Sequence, residues 1–326
     1  MPNILVIGSI NMDMVARIDH IPLQGESVLG EGYSFNPGGK GANSAVAAAR
    51  LGGKVSFAGC VGRDDYGKAL RKVLQDENVD DALLAETADA PTGYAPILVQ
   101  KNGQNGIIVF PGANQRIDPA DVPAMFDRPV DAVMMQLEIA PEIVFLASQE
   151  AEKRGIPVIL DAGPAQAFPV EKVKSLFILS PNETETTALT GLPVETEEQT
   201  RAAAQALLKK SAAKYVVIKM GARGAYVLGQ GVDQMVPSFK IHAVDPTAAG
   251  DTFTGAMTLE YLRCGDILRA VEGEIVPVPC LATSAESCPH RAQCETLGFW
   301  EGLNQVINQY IDSATLEKLS SEYLSH

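Results

Sequence analysis

Short continuous apolar runs recur along most of the chain: ILVIGS, VSFAGCVG, DAVMMQ, PVILDAG, LFILSPN and YVVIKMG. Between them the pattern changes to Ala and Leu at helical spacing, as in ANSAVAAARLG and YGKALRKVLQDEN. A run without polar alternation predicts a strand covered on both faces, and such strands need helices to cover them. The alternation therefore predicts an α/β fold built on a doubly wound, mostly parallel sheet.

Two stretches depart from this rhythm, about residues 11–36 and about residues 95–112. Both carry short alternating runs broken by Gly, Pro and Asn-Gly, which is the chemistry of hairpins. They predict a small β-sheet that projects from the core and is placed to act as a lid. No internal repeat is visible, and the character of the chain changes only near residue 264.

At 326 residues, 46% of them hydrophobic and 20% charged, the chain can bury a full core. Its net charge of −14 argues against binding a nucleic-acid backbone, which requires a dense cationic face. Any phosphate must therefore be held locally. The opening MPNILVIGS has no basic leader, and no apolar run reaches membrane-spanning length, so the expectation is a soluble, cytoplasmic protein without a membrane partner. Cys60 and Cys264 stand in apolar surroundings and read as reduced thiols in or near the core.

Two segments carry candidate chemistry. In NPGGKGANSAVAAARLG, residues 36–52, Gly38, Gly39 and Gly41 permit close backbone approach to a ligand, and Lys40 and Asn43 supply polar contacts at a helix start. The spacing differs from that of a Walker A loop, and a packing turn would explain the glycines equally well. In VDPTAAGDTFTGAMTLEYL, residues 244–262, the small Ala248, Ala249 and Gly250 precede Asp251 at another helix start. Capping alone accounts for an Asp there; alternatively, amides 249–251 hold a transferring phosphoryl group while Asp251 accepts a hydroxyl proton.

Taken together, GSINMD, GGKGAN and DPTAAGDTF resemble, in order, the motifs of the ribokinase family of sugar kinases, and the resemblance covers about residues 1–264. It implies transfer of the ATP γ-phosphoryl group to a sugar primary hydroxyl, with ribose as the first candidate and Mg²⁺ as the accompanying ion. It further implies that Asn11, Asp13, Gly39, Lys40, Asn43 and Glu138 bind the sugar, that Asp251 is the general base, and that Ala249 and Gly250 complete an anion hole. SPNETE and KMGARGAY match the nucleotide elements, so Asn182, Glu185, Lys219, Gly221 and Gly224 are expected beside ATP and Mg²⁺. Asp245 and Thr247 match the start of a K⁺ site. The lid segment TGYAPILV would turn Tyr94 and Ala95 toward the sugar, Tyr94 being bulky for that place. A homodimer is the implied assembly.

The helices and small-residue loop that close the adenine pocket in that family have no counterpart after residue 264. Residues 265–319 are instead similar to the C-terminal part of winged-helix regulators that sense iron–sulfur clusters, where a cysteine loop precedes a dimerisation helix. The winged-helix DNA reader has no counterpart. The domain reading is thus a kinase domain, 1–264, and a helical, cysteine-containing segment, 265–326. Cys280, Cys288 and Cys294, with His290 nearby, would suit a [2Fe-2S] cluster or Zn²⁺, or could be unligated thiols. Leu297, Trp300, Leu303, Val306, Ile307 and Tyr310 form one helical stripe. Three functions stay open at this level: a sugar kinase, a kinase regulated by a metal-binding tail, and a sugar-binding module without turnover.

Overall fold

A computed structural model describes residues 1–102, 104–240, 248–262, 301–304 and 306. The chain divides into two compact units, one of Asn3–Ala256 and one of Met1–Pro2 with Met257–His326. In chain order, β1 (Asn3–Ile7), β2 (Asn11–Ile18) and β3 (Gly32–Gly38) lead to α1 (Lys40–Arg50). Next come β4 (Lys54–Gly62), α2 (Asp65–Asp76), β5 (Asp80–Thr87), β6 (Gly93–Gln100) and β7 (Asn105–Ile107). The chain continues through β8 (Ala132–Met135), α3 (Pro141–Arg154), β9 (Val158–Asp161), β10 (Leu176–Ser180), α4 (Glu183–Thr190) and α5 (Glu197–Ser211). It then runs through β11 (Tyr215–Lys219), β12 (Ala225–Gly229), β13 (Val232–Val236) and α6 (Ala249–Leu262).

Among the described residues the main sheet has the order β13-β12-β11-β10-β9-β8-β1-β4-β5. Every neighbouring pair from β11 to β5 is parallel, and only β12 and β13 join antiparallel. The continuous apolar runs account for this: Leu5, Val6 and Ile7 of β1 and Ile159 and Leu160 of β9 have no exposure. Each such side chain contributes about 1.5–3 kcal/mol of burial, available only when both sheet faces are covered. The chain leaves β1 toward β4 on one side, while β8 and its successors extend the sheet on the other. The carboxyl ends of β1 and β8 therefore flank a topological switch point, where open α/β sheets hold their ligands.

The two lid-like stretches form a four-stranded sheet of order β3-β2-β6-β7. β2 and β6 are parallel, in register from Asn11 opposite Gly93 to Ile18 opposite Gln100. Asn102 falls in the β6–β7 turn, closed by the Gln100 N–H donating to Gln104 O (2.8 Å). Asn105-Gly106 lies within β7, opposite Val99 and Leu98. Leu303 and Val306 of the C-terminal stripe are helical; Leu297, Trp300, Ile307 and Tyr310 lie outside the described residues.

Candidate active site

The site is assembled where β1, β8, β9, β10 and β11 end and α1 and α6 begin. Glu138 follows β8, and its Oε2 accepts from Ser9 Oγ at 2.5 Å and from the Lys40 N–H at 3.2 Å. Its carboxyl is pushed up by burial, against the opposing pull of Ser9 and Lys40. Gly39, at φ +91°, bends the chain so that α1 starts directly behind the β1–β2 junction. The Ala42 N–H donates to Ser9 O at 2.9 Å, and the Gly41 N–H to Ser9 Oγ at 3.3 Å. Small residues let α6 approach α1: a Cβ added to Gly255 would lie 2.6 Å from Ser44 O.

Asp251, 5% exposed, stands in the first turn of α6. Its Oδ1 accepts from Lys40 Nζ at 3.2 Å and its Oδ2 from Asn43 Nδ2 at 2.9 Å. Lys40 loses hydration, but Asp251, Asp161, Glu185 and Glu138 around it outweigh that loss and raise its pKa, so it stays protonated. The Thr252 N–H bonds back to Ala248 O (2.8 Å), leaving amides 249–251 in the part of a helix that cannot satisfy its own donors.

Across from Asp251 lies Asp13. No described residue donates to its carboxylate, and burial, Glu138 and Asp251 together raise its pKa to about 7. It lies against Gly38, where an added Cβ would fall 2.0 Å from Asp13 Oδ2. Asn11, 3% exposed, has its Oδ1 occupied by Asn114 Nδ2 at 2.7 Å, while Asn114 Oδ1 accepts from the Ile10 N–H at 2.9 Å. The amide of Asn11 is thereby fixed through its Oδ1. Asp13 pairs with Ala95 and Met12 with Tyr94 across β2 and β6. Successive strand residues point to opposite faces, so Ala95 shares the Asp13 face and Tyr94 does not. Tyr94 stacks instead on Tyr66 of α2, with ring centroids 6.0 Å apart, which corrects the expectation that it faces the sugar.

A cavity of about 560 Å³ opens beside this cluster. Asn182, Glu185, Lys219, Gly221 and Gly224 line it, and so do Ala249, Gly250, Asp251 and Lys40. Asn182 and Glu185 also have a structural duty, since they form the capping box of α4: Asn182 Oδ1 accepts from the Glu185 N–H (2.9 Å) and Glu185 Oε2 from the Asn182 N–H (2.7 Å). Burial and then Asp161 push the Glu185 carboxyl up. Asp161, at the end of β9 with no exposure, takes an ion pair from Lys219.

The profile of the pfkB family carbohydrate kinases matches residues 1–272. The chain belongs to that family. As a pfkB sugar kinase it is a transferase whose phosphoryl donor is ATP. It is similar to the ribokinase of Haemophilus influenzae, 37% identical over 260 residues that cover 79% of this chain and 85% of that protein. It is also similar to the deoxyribokinase of Salmonella typhi, 32% identical over 277 residues, or 84% of this chain and 90% of that one. The structure of Arabidopsis thaliana ribokinase complexed with ribose and ATP shares 35% identity and a TM-score of 0.69, covering 84% of this chain and 87% of that one. A second profile, of Rrf2 iron-dependent transcriptional regulators, matches residues 256–322.

In this kinase the sequence motifs led to most of the cluster, but Ser9, Asn114, Asp161 and Thr254 were not singled out. Ser9 lies inside the GSINMD motif and Thr254 inside the segment of residues 244–262, and both could have been found there; Asn114 and Asp161 carry no motif signal. Asp245, Thr247, Cys264, Cys280, Cys288, His290 and Cys294 lie outside the described residues. Among the described residues no His, Cys, Asp and Glu cluster suggests a metal site, Cys60 is a buried free thiol, and no helix is long and apolar enough to cross a membrane.

Proposed function

We propose that this kinase phosphorylates the primary hydroxyl of ribose, giving ribose 5-phosphate. The observation that carries the sugar reading is Asp13, a half-buried carboxylate that no described residue satisfies, near enough to Glu138 and Asp251 to feel their charge, with Lys40 and Asn43 bonded to Asp251. Vicinal hydroxyls supply the two donors such a carboxylate lacks. Names among the relatives support ribose and deoxyribose alike, and ribose is the first candidate because most of them are ribokinases.

Asp251 is the general base in this reading. Lys40 and Asn43 orient its carboxylate toward the acceptor hydroxyl, and amides 249–251 hold the charge that gathers on the transferred group. The cavity lined by Asn182, Glu185, Gly221 and Gly224 receives the nucleotide. Its oxygen donors, Glu185 above all, fit Mg²⁺, a hard cation that keeps part of its water shell. Magnesium bound there would neutralise charge on the β- and γ-phosphate oxygens.

The test is ADP release with ribose, deoxyribose and other sugars, with and without K⁺. Ribose-dependent turnover is expected, and Asp251→Asn should lower kcat by about 10²–10⁴-fold. Turnover preserved in Asp251→Asn would remove Asp251 from the role of base.

We further read residues 1–264 as the kinase domain and residues 265–326 as a regulator-like segment, a reading supported by the Rrf2 match. Three thiols and an imidazole make a donor set suited to a [2Fe-2S] cluster or Zn²⁺. Anaerobic reconstitution should give visible absorbance that Cys288→Ala removes; a colourless protein containing stoichiometric zinc would favour the structural ion, and a metal-free one would dismiss both.

A further inference from the structure

The register of the small sheet fixes what stands beside Asp13. Its partner across β2 and β3 is Asn36, and across β2 and β6 it is Ala95. Directly opposed residues of an antiparallel pair share a face, with Cβ atoms about 4.5–5.5 Å apart, so Asn36 stands next to Asp13. The carboxylate itself leans toward β3: a Cβ added to Gly38 would fall 2.0 Å from Asp13 Oδ2, 2.3 Å from Cγ and 2.6 Å from Oδ1. Gly38 has no side chain to hold that place, and the next residue of β3 on the same face is Asn36.

The two sides of Asp13 differ in chemistry. Toward β6 and β7 the face continues through Ala95, Ile97 and Ile107, which offer only C–H groups. Toward β3 it continues through Asn36 and Ser34, both exposed. The Asn36 amide carries two N–H donors, and Nδ2 makes one long contact, to Ser34 Oγ at 3.3 Å. An ionised Asp13 offers acceptors alone. A hydroxyl that gives its proton to Asp13 therefore keeps its lone pairs, and the amide beside the carboxylate on β3 has a donor to meet them.

We propose that Asn36 is a specificity-determining residue of the sugar site, its amide donating to the oxygen of one of the two vicinal hydroxyls that Asp13 holds by their protons. This rests on the sugar reading above and deepens it by naming the side of the site that senses hydroxyls. A sugar lacking that hydroxyl leaves both Asn36 and one oxygen of Asp13 without a partner, which is how a polar site rejects a deoxy analogue.

The test is a cycle of one side chain against one hydroxyl. Dissociation constants of ribose, 2-deoxyribose and 3-deoxyribose are measured by calorimetry for the unaltered protein and for Asn36→Ala, at pH 8, where Asp13 is mostly ionised. Asn36→Ala should weaken ribose binding by about 3–10-fold, the size of one neutral hydrogen bond. It should weaken one of the two deoxy sugars by a similar factor and change the other by less than about 1.5-fold, because that sugar lacks the hydroxyl the amide meets. Equal weakening of all three would make Asn36 a support for the shape of the lid and overturn the proposal, as would unchanged ribose binding; both results leave the sugar reading standing. Failure of the unaltered protein to bind any of the three would overturn the sugar reading and this proposal with it.

Discussion

Asp13 binds a proton in the middle of the physiological range. Burial, Glu138 and Asp251 raise its pKa to about 7, while a carboxylate that accepts from sugar hydroxyls must be ionised. Between pH 6 and pH 8 the ionised fraction rises about tenfold, so the dissociation constant for ribose should fall by about that factor, as calorimetry at the two pH values would show. A constant that does not change would mean the sugar does not lean on this group. The same shift has a consequence for stability. A carboxyl whose folded pKa is raised binds protons more readily when folded, so it disfavours the empty protein increasingly as pH rises from its ordinary 3.8 through about 7. Asp13→Asn should therefore raise the melting temperature of the sugar-free protein by a few degrees at pH 8, and by less at pH 5, while abolishing sugar affinity. Asn11, Asp13, Lys40 and Asp251 were legible because each sits in a short motif. Asn114 and Asp161 were not, because their partners are 103 and 93 residues away and only folding brings them together.

The strand and helix pattern was the most legible part of the sequence, since each buried strand of the main sheet had to be a continuous apolar run. What it left open was how tightly the elements meet. The GGKG turn shows this: sequence offered three glycines as equals, whereas structure separates them by what surrounds each one. Gly39 combines φ +91° with backbone on every side, a Cβ there lying 2.7 Å from Ile10 Cα, 2.8 Å from Asn11 N and 2.9 Å from Ser9 O. Gly39→Ala should cost about 2–4 kcal/mol and should pull Asn11 and Lys40 out of place together. Gly155, which ends α3 at φ +67°, has nothing within 4 Å of an added Cβ. Gly155→Ala should cost only about 1 kcal/mol of backbone strain and leave turnover intact. Urea unfolding of the two variants checks the pair; equal costs would show that φ, and not the approach of α1 to the β1–β2 junction, governs the turn.

At the scale of the molecule, the small sheet carries more apolar surface than a solvated face requires. On the face opposite Asp13, Tyr33 is 73% exposed and Phe35 45%, with ring centroids 5.7 Å apart. Contiguous exposed apolar side chains mark a surface that another molecule covers, and a second copy of this chain is the occupant the family resemblance implies. The sequence marked both segments as lid-like but could not show which side chains stay outside, because strand alternation assigns faces only once the register is known. Tyr33 and Phe35 lie on the face opposite Asp13, since Met14 pairs with Phe35 and Ala16 with Tyr33, both one residue out of step with Asp13. Charge placed there should break pairing without touching the sugar. If a second copy covers this face, the double variant Tyr33→Glu/Phe35→Glu should sediment as a smaller species than the unaltered protein, with ribose affinity unchanged within about twofold if the lid folds without its partner. A variant that sediments unchanged would move the interface away from this sheet, and one that turns smaller while losing ribose affinity would mean that pairing holds the lid in the shape that Asp13 and Asn11 need.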